Sequence, residues 1–472
     1  MSTTIDPRTR RLLEAPIVPT VLRLAAPNVV VMFVQASIGL IETWFVSKLG
    51  TDSLAAMALV FPIVMLMQMS SAGAIGGGIA SSIARALGAK RRDDADALVL
   101  HAIVIALGFA LAFTLAMLLG GRWLFVQMGG TGASLDAALV YSHWVFSGSV
   151  LVWLFNSQAA VIRGTGNMAV PAYVTVAGAV ILVPLSPLLI FGWGPIPGMG
   201  IAGGALALLL YYLGGTLAFW MYLRSPRSLL KPRLEGVRFR WPLFRDILRI
   251  GLVGAIGTVA TNLSIGIATA LSGHFGPGAV AGYGTAARLE YLMVPLAFGF
   301  GAPLLAMVGT CIGAGNRERA HKAAWVGAIM VFAITEAIGL AAALFPHTWL
   351  MLFGNAPDML EAGTQYLQTV GPLYGFFGLG QVLHFASQGA GRLFWPVTGN
   401  LMRLAVAGLG GWLALRWGGE LVHVFVAQGA AFVVYGLVIA AAIAGGAWFG
   451  PVGWPRSISA VMRRTGFRRY SR

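Results

Sequence analysis

A single cysteine, Cys311, in 472 residues excludes an internal disulfide and any metal site built from cysteines. Charge is nearly as scarce. Asp, Glu, Lys and Arg make up 10% of the chain, against about 25% in soluble domains, while hydrophobic residues make up 58%. No soluble core absorbs that imbalance, so most of the chain is expected in lipid. Acid is the rarer charge: 16 Asp and Glu stand against 32 Lys and Arg, a net charge of +16. In a soluble protein that excess would suggest nucleic acid. In a membrane protein the positive-inside rule accounts for it, and no nucleic-acid partner is expected. The 7 histidines are scattered, with no HExxH or paired-aspartate pattern, so no enzyme is expected. No filter-like repeat suggests a channel.

What is abundant is apolar length and glycine. Spans need about 20 largely apolar residues. Twelve are predicted, at 18–47, 54–85, 97–119, 135–162, 169–191, 199–223, 246–272, 279–311, 321–345, 360–388, 394–416 and 420–447. The polar start through Glu14 runs into the first of them, which reads as a membrane span rather than a cleavable signal. The 63 glycines suit helices that approach closely in lipid. Basic residues set the orientation. Arg8, Arg10, Arg11, Lys90–Arg92, Arg163, the 224–245 linker, Arg317, Arg319, Lys322, Arg392 and the 456–472 tail fall on one side. Only Lys48, Arg122 and Arg416 fall on the other, so both termini and the linker are expected in the cytoplasm, at a bacterial inner membrane.

The chain also repeats itself. RGTGNMAVP at Arg163–Pro171 and QGAGRLFWP at Gln388–Pro396 lie 225 positions apart. ALGAKRRDDADA at Ala86–Ala97 and CIGAGNRERAHKA at Cys311–Ala323 share that offset, and GTDSLAA at Gly50–Ala56 matches GPGAVAG at Gly276–Gly282. Six spans per half put both halves in the same orientation, a parallel repeat about an axis along the membrane normal. The expected fold is thus an all-α polytopic membrane protein of twelve transmembrane helices in two six-helix bundles. The bundles are 1–223 and 246–455, with a basic linker at 224–245 and a basic tail at 456–472. The glycines of the RGTGN and QGAGR stretches read as tight turns, since no strand precedes them and no GK[ST] follows.

In order and repetition, ETWFVSKLGTDSLAA (Glu42–Ala56), RGTGNMAVP, SPLLIFGWGPIPGMGIAGGALA (Ser186–Ala207), RLEYLMVPLAFGFGAPLLAMVGTCIGAGNRERA (Arg288–Ala320) and QYLQTVGPLYGFFGLGQVLHFASQGAGRLFWP (Gln365–Pro396) resemble the multidrug and toxic compound extrusion (MATE) family. The resemblance implies two bundles facing across a cleft and export of amphipathic, often cationic compounds in exchange for sodium or protons. It makes Glu42 the counterpart of the first-span acid in the amino-terminal cation site. It places Ser186 and Leu182 where the family carries an acid and an asparagine on span 5. In the second half, family acids fall at Thr261 or Asn262 and near Phe377, and neither is kept.

Ionisable groups inside the membrane are expensive and usually functional. Glu42, Glu290 and Glu336 are the cation-coupling candidates. Glu42 lies about 9 Å below Lys48 along its helix, so it is either a coupling acid or a solvated interfacial carboxylate. Arg288 and Glu336 both fall about 14 Å below the outer boundary and are expected to meet, as a static ion pair or with Glu336 free to carry a proton. Glu290 is expected at the cleft rim, because Arg288 two residues away points to a different helix face. Gln35, Gln68, Asn156, Gln158, Asn262, Arg288, Gln381 and His384 are candidates for the cleft lining, with interhelical hydrogen bonding the competing reading for each. Pro27, Pro62, Pro295 and Pro303 are expected to bend spans 1, 2 and 8.

The function expected is a proton- or sodium-coupled antiporter that exports amphipathic compounds by alternating access. The alternative is a flippase for a lipid-linked sugar or other lipid. That group puts several cations in its cavity, whereas only Arg288 and Arg403 stand deep inside spans here, away from their ends. No cofactor is expected beyond the coupling ion. Membrane lipids and small amphipathic or cationic substrates are the expected partners, and the chain is expected to act as a monomer.

Overall fold

The computed structural model describes residues 6–232 and 238–449, the side chain of Ile196 excepted. The tail at 456–472 and Arg233 of the linker lie outside the described residues. A short helix, α1 (Pro7–Glu14), comes first; the Asp6 carboxylate accepts the Arg8 N–H, and Pro7 takes the first position, where a backbone N–H has no partner to lose. Next come α2 (Ile17–Ser47), α3 (Thr51–Gln68) and, after a π-helical turn at Met69–Ile75, α4 (Gly76–Gly88). They are followed by α5 (Arg92–Gln127), α6 (Gly132–Ser147), α7 (Ser149–Gly164) and α8 (Ala169–Phe191). A two-residue hairpin, β1 (Gly192–Trp193) with β2 (Ile196–Pro197), is the sole sheet among the described residues and leads into α9 (Ile201–Arg224).

The second half holds α10 (Trp241–Gly273), α11 (Pro277–Gly313), α12 (Arg317–Leu344), α13 (Pro346–Leu350) and α14 (Pro357–Val370). A 3₁₀ turn at Gly371–Leu373 separates α14 from α15 (Tyr374–Gly389), and α16 (Phe394–Arg416) and α17 (Leu421–Ala444) complete it. Setting the short α1 and α13 aside and taking α3–α4, α6–α7 and α14–α15 as broken rods, the described residues form twelve rods where twelve spans are expected. Ten are long and apolar enough to cross a membrane, counting the α6–α7 pair, bent by 47°, as one. The rods at 360–388 and 394–416 fall short of that criterion. The first is broken into α14 and α15, of 14 and 16 residues, and the second carries the buried Asn400 and Arg403, which make it less apolar than a lipid-facing rod.

The repeat is written in the backbone. Gly50 and Gly276 have φ of 113° and 97°, and Gly166 and Gly391, in the two turn motifs, have 79° and 71°. Lys90 and Gly315, 225 positions apart, have 59° and 74°. The first half breaks a rod at Gly148, and the second breaks its counterpart at Gly371–Leu373. Proline alone does not place these breaks: Pro27, Pro295 and Pro303 sit inside continuous helices, and α3 gives way to the π-helical turn beyond Pro62.

Two compact units result, Met1–Val259 with Tyr291–Gly327 and Ala260–Glu290 with Ala328–Arg472. In the first, Trp153 stacks on Phe109 with centroids 5.1 Å apart, and Phe155 packs against Tyr211, Tyr212 and Phe219. The arginine-bearing start of α10 and the end of α11 belong to this unit and cross α4 at backbone contact. A Cβ at Gly88 would overlap the Thr310 carbonyl, and one at Gly313 would overlap the Arg85 carbonyl. Both pairs obey the 225-residue offset, so the crossing is symmetric under the repeat. Arg85 pairs with Asp246 at 2.7 Å beside it. In the second unit, Tyr366, Tyr374, Phe377, Phe425, Phe432 and Tyr435 form the buried core.

Candidate functional site

The first unit gathers polar side chains from five elements. Asn156 on α7 donates to Gln68 Oε1 at 3.0 Å and to Ser71 Oγ at 2.8 Å. The Gln68 amide, at the end of α3, donates to the Tyr212 hydroxyl on α9. The π-helical turn places Ser71 in this network, a use of such turns that recurs at functional sites. Glu42 on α2 is 5% exposed, with Tyr141 and Tyr212 within electrostatic reach. Its Oε1 is buried without a hydrogen-bond partner. Glu42 therefore lies within the protein rather than on its surface. An acceptor so placed is free for a proton, a cation or a donor group of a ligand, and leaving it bare costs about 1–3 kcal/mol. Ser186, on the α8 helix that packs against α2, is buried with its hydroxyl unpartnered, and Leu182 one turn earlier is buried as well.

The second unit holds a different constellation. The Tyr366 hydroxyl on α14 donates to Glu290 Oε1 on α11, and both residues are buried. Glu290 thus faces the interior and not a cleft rim, because the bulky partner that satisfies it lies in the core. Arg403 on α16 acts on Glu290 electrostatically without forming an ion pair with it. Its guanidinium lies 4.9 Å from the Phe432 ring, 5.5 Å from Phe377 and 5.8 Å from Tyr435, and Nη1 is buried without a hydrogen-bond partner. The aromatic faces supply part of the stabilisation a counter-ion would give. Tyr435 in turn donates to Gln381 Oε1 at 2.8 Å.

Glu336 and Arg288 do not meet. Arg288 is exposed, with its guanidinium 4.9 Å from the Phe353 ring. Glu336 accepts the Gly375 N–H at 2.7 Å. That N–H is released where the 3₁₀ turn interrupts the helix ladder, so Glu336 caps α15 from a neighbouring helix. Equal depth along two helices does not fix the direction in which each side chain points, and here the directions differ. Of the remaining candidates, Gln158 and the His384 ring carry buried, unpartnered acceptor or donor atoms at Oε1 and Nδ1. Gln35 is half-buried and Asn262 exposed.

A family model described as MatE matches residues 27–188 and 255–411, one stretch in each half. The chain belongs to the MatE family. Members of the family are transporters and not enzymes, and this MatE chain is a multi-pass membrane protein. Among its relatives, a "FAD transporter" of Shewanella oneidensis is 27% identical over 84% of this chain and 87% of that one. A "Probable multidrug resistance protein NorM" of Deinococcus radiodurans is 28% identical, covering 82% and 86%. The fold is shared with solved structures: a MATE protein in the bent conformation superposes with a TM-score of 0.85 at 23% identity over 98% of this chain and 99% of that one. The outward-facing conformation of a multidrug resistance MATE family transporter gives 0.84 at 22% identity, covering 99% and 100%.

Tyr212, Tyr366 and Ser71 join these polar networks, and sequence reasoning missed them. A tyrosine counts as apolar in a hydropathy window, so its hydroxyl leaves no trace there. Ser71 looks like one more small residue in a glycine-rich helix. No group of three or more His, Cys, Asp or Glu side chains that could hold a metal ion occurs among the described residues of this MatE chain.

Proposed function

We propose that the chain is a secondary antiporter that exports amphipathic organic compounds, cations among them, in exchange for a coupling ion. The observation that carries this reading is Glu42, a buried carboxylate with a free acceptor beside a connected polar network on four other elements. An alternating-access cycle needs a group that holds the coupling ion in one state and yields it in the other. One carboxylate suits a proton better than sodium, which wants several oxygen ligands. Relatives named as multidrug resistance proteins support the substrate class. In this reading the bundles at 1–223 and 246–455 are the moving bodies, the arginine-rich side and both termini are cytoplasmic in a bacterial inner membrane, and a monomer suffices. Gln68, Asn156 and Gln381 are retained as cleft residues. Glu290 is the second coupling candidate, and Glu336 the third because its carboxylate already caps a helix.

A second substrate class has an observation in its favour. Arg403, aromatic-flanked with a free Nη1, suits an anionic aromatic compound, and one relative is named as a transporter of FAD. Proteoliposomes test both. Uptake of an organic cation driven by an imposed proton gradient, lost in Glu42→Gln, is the result expected. A gradient-driven uptake that survives Glu42→Gln contradicts the role of Glu42, and uptake of a flavin dinucleotide in place of the cation selects the second class.

A further inference from the structure

The one cysteine of the chain lies against its first helix. Cys311 Sγ, near the end of α11, sits 3.8 Å from the Leu12 carbonyl oxygen. That oxygen also accepts from Arg319 Nε at 3.0 Å, and Arg319 Nη2 donates to the Ala15 carbonyl. The other flank of α1 is tied to the first half. Arg8 Nη1 donates to the Tyr222 hydroxyl at 3.0 Å. Leu12, 3% exposed, fills the space a Cβ would take at Gly166, in the RGTGN turn. So α1 bridges α9 and the α7–α8 turn, from the first half, to α11 and α12, from the second, all within one compact unit. Next to it is the symmetric crossing of α4 and α11, since Thr310, whose carbonyl abuts Gly88, precedes Cys311.

We propose that α1 is a strap that holds the α4–α11 crossing closed and detaches at Leu12 and Arg319 when the arginine-rich side opens. The proposal rests on the alternating-access reading above. The crossing joins the two halves of the repeat by backbone contact, so it must part whenever that side opens. The Arg85–Asp246 pair binds it on one side and α1 on the other. One leucine and a few arginine hydrogen bonds to carbonyls form an attachment small enough to release and re-form locally, without unfolding the rods. It also gives the RGTGN turn a use: the positive φ of Gly166 leaves a side-chain-free seat for Leu12.

Cys311 is a built-in reporter. The full-length protein in nanodiscs is labelled with a charged maleimide. Wild type is expected to react slowly at Cys311. Leu12→Asp and Arg319→Gln, each checked for folding by thermal unfolding, are expected to react about tenfold faster or more. Arg10→Gln, whose side chain pairs with Glu14 on the exposed face, is expected to match wild type. A second reporter, Thr310→Cys with Cys311→Ser, reads the crossing itself, and the same two strap variants are expected to accelerate it. Acceleration at Cys311 alone would make α1 a cover that holds nothing, and overturns the proposal. Unchanged rates at both positions in a folded variant overturn it as well. Export is scored separately: a wild type that exports nothing defeats the transport reading, while the labelling still decides the strap.

Discussion

Lys90 and Gly315 make the same left-handed turn with different side chains. The turn suits glycine, because a Cβ in that region crowds the following carbonyl. Lys90→Gly is expected to stabilise the protein by about 0.5–1 kcal/mol, the relief exceeding the extra freedom glycine gives the unfolded chain. Thermal unfolding in detergent checks this, and a lowered midpoint would show that the Lys90 side chain stabilises the turn by contacts that outweigh its strain. The acids differ in kind at the same scale. Glu42 has an acceptor free, Glu290 takes a tyrosine hydroxyl, and Glu336 takes a backbone N–H. Placement in an apolar run singled out all three alike, since it reports depth and not the partner. The partners of Glu290 and Glu336 come from distant helices, which is why the sequence did not assign them and put Arg288 against Glu336.

Among the elements, the broken rods and the close crossings carry the argument. Glu336 caps α15, so Glu336→Ala is expected to cost about 1 kcal/mol of stability through the orphaned Gly375 N–H, whereas Glu336→Gln keeps an acceptor and both stability and export. Loss of export in a stable Glu336→Gln would instead make it a coupling acid. At the α4–α11 crossing, Gly88→Ala is expected to cost about 1–3 kcal/mol, because its Cβ meets backbone that has no side chain to move aside. A midpoint equal to wild type would mean that the crossing is looser than described. Most rods were legible as long apolar runs, and the turn glycines at 166 and 391 as repeat motifs. The π-helical turn at Met69–Ile75 and the α14–α15 break were not, because hydropathy does not register a local change in helix winding. The strap was invisible for another reason: a polar segment of eight residues carries too little periodic signal to say that it docks.

For the whole molecule, duplication explains more than any single motif. It supplies equivalent turns and a symmetric crossing, and it leaves the two halves free to diverge in their polar interiors. The first half keeps a lone acid in a hydrogen-bonded network of neutral groups, and the second keeps an acid with an aromatic-flanked arginine. Orientation belongs to this scale, and protease access to an epitope fused at the amino terminus is expected from the cytoplasmic face only, in line with the basic residues on that side. Access from the opposite face would invert the proposed direction of transport. The central claim is export coupled through Glu42. The measurement that tests it most directly is accumulation of a fluorescent organic cation in energised cells without their own efflux pumps. The account predicts lower accumulation with wild type than with empty vector, reversed by an uncoupler and abolished by Glu42→Gln at equal expression. Equal accumulation with wild type and vector, or full export by Glu42→Gln, would contradict it.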